Sequence, residues 1–287
     1  MNNLYLTADW TILEIREIIP GHFFVSLSPS GGGGVPEYSP GQFFQISVHG
    51  IGEAPVSVSS SPTRPGTLEM CIRKVGRLTA AIAGLRAGNR VGIRGPFGNG
   101  FPLERMRGND LVLLAGGLGI VPLRSLVNYA VDLPGEFGQV TVLYGAGTDA
   151  QLLFIDDLLG LSRDINIQLI VQEITGAGPY EERFGDRTGF VTDLIPGSVT
   201  RPTRTFAAMC GPPVFYRYAV SALLAEGLSK RLVYMSLERR MECGIGKCGH
   251  CGVGYRYTCV DGPIFNYWDA FNMPELIEMR EGEPWIS

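Results

Sequence analysis

Hydrophobic and polar positions alternate along the first third of the chain and then cease to. Segments such as "HFFVSLSPS", "QFFQISVHG", "APVSVSSSP", "TLEMCIRKV" and "RVGIRGPFG" are rich in β-formers, several have a period of two, and Gly, Pro and Asn separate them. This spacing predicts short strands of a small antiparallel barrel or sandwich over residues 1–108. Between residues 109 and 237 the texture changes. Near-continuous apolar runs ("DLVLLAGG", "QVTVLYGA", "INIQLIVQE", "RTFAAMCG", "RLVYMSL") alternate with helical stretches such as "VPLRSLVNYAVDL" and "PPVFYRYAVSALLAEGL". Apolar strands separated by helices predict a parallel sheet covered on both faces, here a five-stranded doubly wound domain. Such domains bind ligands beyond the C-terminal ends of their strands. Residues 238–287 follow neither pattern and form a cysteine-bearing segment with a tail.

Composition narrows the function classes. A chain of 287 residues has room for two domains and an appendage. A net charge of −4 without any basic run gives nucleic-acid binding no support. The first twenty residues lack a basic stretch followed by an apolar one, and no apolar run reaches the about 18 residues that a membrane span requires. A cytoplasmic protein without membrane insertion is expected, and in that compartment thiols stay reduced or bind metal. Glycine is abundant, at 39 residues, and clusters where apolar runs end. The run "SGGGG" at Ser30–Gly34 lacks the Lys-Ser or Lys-Thr of a phosphate loop and reads as a flexible turn.

Three strand ends predict one ligand-binding mouth. In "LLAGGLGIVPL" an apolar strand runs into Gly116, Gly117 and Gly119 before a helix, where backbone can approach a pyrophosphate favoured by the helix N-terminus. Pro122 stands where the third glycine of a G-x-G-x-x-G fingerprint would be, so a plain tight turn remains open. "YGAGT", ending at Thr148, and "CGPP", with Cys210 and Gly211, close two further strands. In the first region "RGPFGNGFPL", "EAPVSVSS" and "RKVGRLTAAI" are weaker candidates for loops against a flat or phosphorylated ligand.

Four of the six cysteines, Cys243, Cys248, Cys251 and Cys259, follow the spacing C-x4-C-x2-C-x7-C. Its first three positions match plant-type [2Fe–2S] ligands, and glycines at 244, 246, 249 and 252 would turn backbone N–H groups toward sulfur. A zinc ribbon favours two C-x2-C pairs, of which there is one, and disulfides are disfavoured by compartment; both stay open on spacing alone. His250 is not expected to be a ligand, and Cys71, among apolar neighbours, reads as core.

Together "GPFGNGF", "AGGLGIVPLRSL" and "CGPP", in that order, resemble the ferredoxin-NADP reductase superfamily, and the resemblance spans essentially the whole chain. "ERRMECGIGKCGHCGVG" with "CVDGPIF" resembles the branch containing the gamma (diaphorase) subunits of cytoplasmic NAD(P)-linked [NiFe] hydrogenases, anaerobic sulfite reductase B subunits and, more distantly, the electron-transfer subunits of dihydroorotate dehydrogenase. The resemblance implies an FAD-binding barrel at 1–108, an NAD(P)-binding α/β domain at 109–237 and a [2Fe–2S] segment at 238–287. It implies Pro55, Val56, Ser57 and Val58 along the isoalloxazine, Gly76, Leu78 and Thr79 on the FAD phosphates, and Gly95, Phe97 and Gly98 bordering the flavin. It further implies Gly117, Gly119, Thr148, Cys210 and Gly211 around the nicotinamide nucleotide, with Cys210 near the nicotinamide, and the four clustered cysteines as iron ligands. Hydride would pass from NAD(P)H to flavin and single electrons through the cluster to or from a redox partner subunit, hydrogenase first, in a hetero-oligomer. No catalytic side chain is required, because the cofactors carry the chemistry.

Two departures matter. Ala54 stands where the superfamily often has an arginine that pairs with a flavin phosphate, so FAD over FMN rests on the resemblance. "GAGTDAQ" offers Gly147 and Asp149 where NADP-selective members often carry arginine, which leans toward NAD(H) unless Arg183 or Arg187 reaches the nucleotide. Arg239 and Arg240 read as a solvated surface pair with a partner-docking patch as the alternative, and Asp156 and Asp157 as helix surface. A different class, a non-catalytic zinc-ribbon or flavin-binding scaffold protein, is separated by spectrum and metal content.

Overall fold

Alternation becomes a closed sheet because one set of side chains on each strand turns to a common core. The computed structural model describes residues 4–176 and 187–271, which fall into two compact units. The first comprises 1–101, 124–129 and 237–264. It is built on β1 (Ala8–Ile19), β2 (His22–Pro29), β3 (Phe43–Val48), β4 (Gly52–Ser57), β5 (Leu68–Arg73) and β6 (Arg90–Phe97), in the order β4-β3-β6-β1-β2-β5. A bridge between Val58 and Met70 joins the two ends, so the sheet is barrel-like. Trp10, Ile12, Val25, Leu27, Ile46 and Met70 are among its buried core residues. The register sets Ile46 opposite Ala54 and Phe44 opposite Val56, while Gln45 faces Pro55 on the other side of the sheet. Pro55 is tolerated because β4 is an edge strand in the ladder. Helix α1 (Arg77–Ala83) buries Ile82 in the same core.

The opposite face of β3 and β6 is covered by the cysteine segment. Phe43 and Phe97 pack there with Cys251 and Cys259, flanked by Met241 and Ile245. The segment is grouped with the barrel rather than standing apart from it. It carries a two-stranded ladder of β12 (Gly252–Val253) and β13 (Arg256–Tyr257), preceded in the second unit by the strands named next.

The second unit comprises 102–123, 130–236 and 265 onward. Its strands are β7 (Asp110–Gly116), β8 (Val140–Thr148), β9 (Asn166–Glu173), β10 (Thr205–Cys210) and β11 (Val233–Ser236), all paired in parallel, with β14 (Ile264–Asn266) added at the edge beside β11. The expected five-stranded parallel sheet is present, and β14 is an addition contributed by the chain beyond the cysteines. Its helices are α2 (Leu103–Met106), α3 (Ile120–Asp132), α4 (Ile155–Leu161), α5 (Pro213–Ala225) and α6 (Tyr267–Phe271). Residues 124–129 of α3 belong to the first unit, where the Arg124 guanidinium donates to Glu69 Oε2 at 2.6 Å and to the Ser59 carbonyl at 3.2 Å. Central strands β7 and β10 are almost wholly buried, as apolar runs covered on both faces must be. Among the described residues no helix is long and apolar enough to cross a membrane.

Candidate functional site

Four sulfurs converge in the first unit because glycines let the chain turn around them. Gly244, Gly246 and Gly249 have φ of 74°, 74° and 80°, a left-handed region costly for residues with a Cβ. These turns aim backbone donors at sulfur. Ile245, Lys247 and Cys248 N–H groups lie 3.5, 3.3 and 3.4 Å from Cys243 Sγ, and Gly246 N–H lies 3.1 Å from Cys259 Sγ. Cys251 Sγ is 3.2 Å from Cys259 Sγ, and all six thiols are free. Burial differs across the set, with Cys251 and Cys259 at 1% and 2% exposure and Cys248 exposed. Burial, and then its neighbour Cys251, pushes the Cys259 thiol up to about 12. Next to Cys259 in the chain, the Thr258 hydroxyl is fully buried without a hydrogen-bond partner among the described residues. A buried donor beside sulfurs already ringed by amides fits an iron–sulfur cluster, whose sulfides accept such bonds.

The segment is held down by a residue the motifs did not single out. Asn99 follows Gly98 in the β6 turn, donates from Nδ2 to the carbonyls of Asp261 and Ile264 at 2.8 and 2.9 Å, and accepts the Ile264 N–H at 3.0 Å. Its own N–H donates to the Gly262 carbonyl at 2.5 Å. Gly98, at φ 71°, is required here because a Cβ would sit 2.5 Å from that carbonyl and 2.6 Å from Pro263. A third hold comes from Gln45, fully buried, whose Nε2 lies 3.4 Å from the Glu242 carbonyl while its Oε1 has no partner among the described residues. For Asn99 the sequence signal is a polar residue between two glycines, and Gln45 has none.

The residues expected on the flavin all belong to the same unit. Ala54 to Ser57 are half-buried on the edge strand, offering apolar surface and backbone, and Val58 is buried. Leu78 packs at the core's edge. Thr79 caps its own helix, its Oγ1 accepting the Val75 and Gly76 N–H groups at 2.9 and 3.0 Å. Gly95 has φ 135° and abuts Phe44, and Phe97 turns its ring toward the cysteines. Arg94 forms an ion pair with Glu53 and stacks 5.2 Å from the Phe97 ring.

In the second unit the expected nucleotide residues gather at the C-terminal edge of the sheet. Gly117 has φ 54° and nothing within 4 Å of a notional Cβ, so its backbone faces open space at the turn into α3. Gly119 touches the neighbouring strand, where a Cβ would overlap the Cys210 carbonyl. Cys210, 2% exposed, ends β10 opposite Ala115, and Gly211 leaves room for the Phe215 ring. Thr148 ends β8 on the other side of β7. The structure therefore brings Gly117, Gly119, Cys210 and Gly211 together, with Thr148 one strand away. Asp149 is buried, and its Oδ1 accepts the Thr175 N–H at 2.9 Å and the Thr175 hydroxyl at 2.5 Å. Arg183 lies outside the described residues.

Residues 238–270 match the model of the "iron-sulfur cluster binding domain of dihydroorotate dehydrogenase B", and residues 113–221 match that of the "oxidoreductase NAD-binding domain". The zinc and disulfide alternatives fall with the first match. The sulfhydrogenase 2 gamma subunit of Pyrococcus furiosus is 41% identical over 96% of this chain and its own full length. A probable dihydroorotate dehydrogenase B electron transfer subunit from the same organism is 32% identical over 80% of each chain. A solved chain from an NADH-dependent reduced ferredoxin-NADP oxidoreductase superposes with a TM-score of 0.69 at 22% identity, covering 97% of this chain and 93% of the other, which supports the fold.

Proposed function

The chain belongs to the family of the sulfhydrogenase gamma subunits, and from that premise we propose that it is the electron-transfer subunit of a hetero-oligomeric redox enzyme, exchanging electrons between NAD(P)H and a hydrogenase-type partner. It is an oxidoreductase of the ferredoxin reductase fold with an NAD-binding domain. The observation that carries the proposal is the set of four cysteines on the same unit as the barrel, with backbone donors on Cys243 and Cys259. When bound, FAD and the cluster supply the change from two-electron to one-electron transfer that no side chain performs.

The chain's own residues position and select. Gly117 and Gly119 let backbone and the α3 N-terminus approach a pyrophosphate, while Cys210 and Gly211 close the edge beside them. Pro55, Val56, Ser57 and Val58 line the flavin, with Gly76, Leu78 and Thr79 at its phosphates and Gly95, Phe97 and Gly98 at its border. Cys243, Cys248, Cys251 and Cys259 hold the iron. The buried Asp149 carboxylate, fixed by Thr175 at the end of β8, places negative charge where a 2′-phosphate would approach, which supports NAD(H) over NADP(H). Replacing it, Asp149→Asn, is expected to raise the NADPH/NADH ratio of kcat/KM about tenfold. An unchanged ratio removes this role.

Anaerobically purified chain should show flavin bands, about two irons per chain, and bleaching of both by NADH. Zinc in place of iron, or no bleaching, overturns the reading. The second reading, a dihydroorotate dehydrogenase electron-transfer subunit, is favoured by the description of the matched iron–sulfur model and is separated by identifying the co-purifying subunit.

A further inference from the structure

Two buried side-chain atoms of the first unit have no hydrogen-bond partner among the described residues, Gln45 Oε1 and Thr258 Oγ1. Both flank the cysteine turn, since a Cβ on Gly244 would sit 3.1 Å from Gln45 Nε2 and Thr258 precedes Cys259. They differ in what they can do. Gln45 gives its Nε2 to the Glu242 carbonyl, and the atom left over is an oxygen that only accepts. A threonine hydroxyl has a proton to give. Thiolate and sulfide sulfurs accept, so of the two only Thr258 can serve a cluster. On the exposed side of the set the Glu242 carboxylate lies within 4.8 Å of the ligating atoms of Cys248 and His250, and an ionised carboxylate likewise only accepts.

Register places that hydroxyl. Strands β12 and β13 pair Gly252 with Tyr257 and Val253 with Arg256, and the Thr258 N–H donates to the Cys251 carbonyl at 3.0 Å, which continues the same register to Cys251 and Thr258. Side chains opposite each other in an antiparallel pair stand on one face, with Cβ atoms about 4.5–5.5 Å apart. Burial agrees with this. Cys251, Val253 and Thr258 are 1%, 0% and 0% exposed, while Tyr257, on the other face, is 42% exposed. Thr258 therefore shares a buried face with Cys251, whose Sγ lies 3.2 Å from Cys259 Sγ. Among the described residues backbone N–H groups serve Cys243 and Cys259, and none serves Cys251 Sγ. The sulfur that lacks an amide is the one that faces the hydroxyl. A valine would fill the same space without burying an unsatisfied group, so packing alone does not account for a threonine.

We propose that the Thr258 hydroxyl donates a hydrogen bond to sulfur of the iron–sulfur cluster on the Cys251 side and so sets how readily the cluster takes an electron. Reduction adds one electron to the cluster, and the added negative charge spreads onto sulfur. A donor there stabilises the reduced form more than the oxidised one and raises the midpoint potential. The proposal rests on the cluster reading above and adds a residue that tunes it.

The test is a redox titration of the holo chain with dithionite and mediators, the reduced cluster being counted by low-temperature EPR. Thr258→Val keeps the shape and removes the donor. It should disfavour reduction about tenfold, which is a midpoint lower by about 59 mV for one electron. Thr258→Ser restores the donor without the methyl group and should keep the unaltered midpoint. Iron content and the extent of flavin reduction by NADH should be the same in all three. An unchanged midpoint in Thr258→Val overturns the proposal. So does an equal shift in Thr258→Ser, which would assign the effect to packing. Where Thr258→Val holds no iron, Thr258→Ala replaces it with the same expectation. Iron lost from both overturns the proposal, because the hydroxyl would then be needed to assemble the cluster rather than to set its potential. An unaltered chain that takes up no iron, or holds zinc, is a failure of the underlying reading instead, and metal analysis before the titration tells the two apart.

Discussion

At the residue scale, close approach decides more than side-chain chemistry. Gly119 has no catalytic group, yet its missing Cβ is what lets the turn after β7 lie on the Cys210 carbonyl. Because that neighbour is backbone and cannot rotate away, Gly119→Ala should cost about 1–3 kcal/mol in denaturant unfolding and weaken dinucleotide binding. Asp110 is the charged counterpart. It is buried, paired with Arg201 and accepts the Gln139 N–H at 2.7 Å, and the Arg201 hydrogen bond holds its carboxyl below the usual range. A carboxyl depressed in the folded state stabilises fully above its unfolded pKa, about 3.9, and that contribution fades as pH falls through the folded value. Asp110→Asn should therefore lower the midpoint of thermal unfolding at pH 7 and shrink the difference between pH 7 and pH 3. Cys71 marks the inert extreme, its thiol pushed up to about 12 by burial, consistent with its reading as core.

At the scale of elements, the cysteine segment is as much a wall of the barrel as a ligand loop. Asn99 and Gly98 clasp it to β6, and Gln45 touches it from β3. Asn99→Ala removes three side-chain hydrogen bonds, two of them partly buried and each worth about 1 kcal/mol, and should yield protein with reduced iron content by metal analysis. NADH-dependent flavin reduction should survive. The motifs made the cysteines, the glycine turns and the strand ends legible, because each rests on local spacing. They did not make the clasp legible, because Asn99 meets residues more than 160 positions away, at Asp261 and Ile264. Likewise β1 was not singled out among the strands. Its register shifts between Ile12 and Glu14 and again between Glu17 and Ile19, and such bulges break the period of two by which a strand is recognised. The Asp149 side chain could be placed at a strand end from sequence, but its engagement with Thr175 depends on the pairing of β8 with β9, which brings the two strand ends together.

At the scale of the whole molecule, the division of labour should be separable. Cys251→Ser removes a buried ligand and should abolish cluster absorption and partner reduction while leaving NADH oxidation by a two-electron quinone within about threefold. Loss of both activities together would mean that the cysteine segment also shapes the flavin site. The pattern of alternating and then continuous apolar runs made the two kinds of sheet legible, since each architecture imposes its own period. It could not show that the last piece of the first unit arrives from the far end of the chain.

That discontinuity has a consequence for how the protein is made. Residues 1–101 leave the ribosome well before residues 237–264, which complete the same unit. At about 5–20 residues per second, the barrel waits roughly 8–33 s for its covering segment to be complete, with Phe43 and Phe97 bare in the meantime. The nucleotide-binding sheet in between is nearly finished first. A chain cut before Leu237 would consequently be a barrel with an uncovered oily face, prone to aggregation, rather than a working enzyme lacking only its iron.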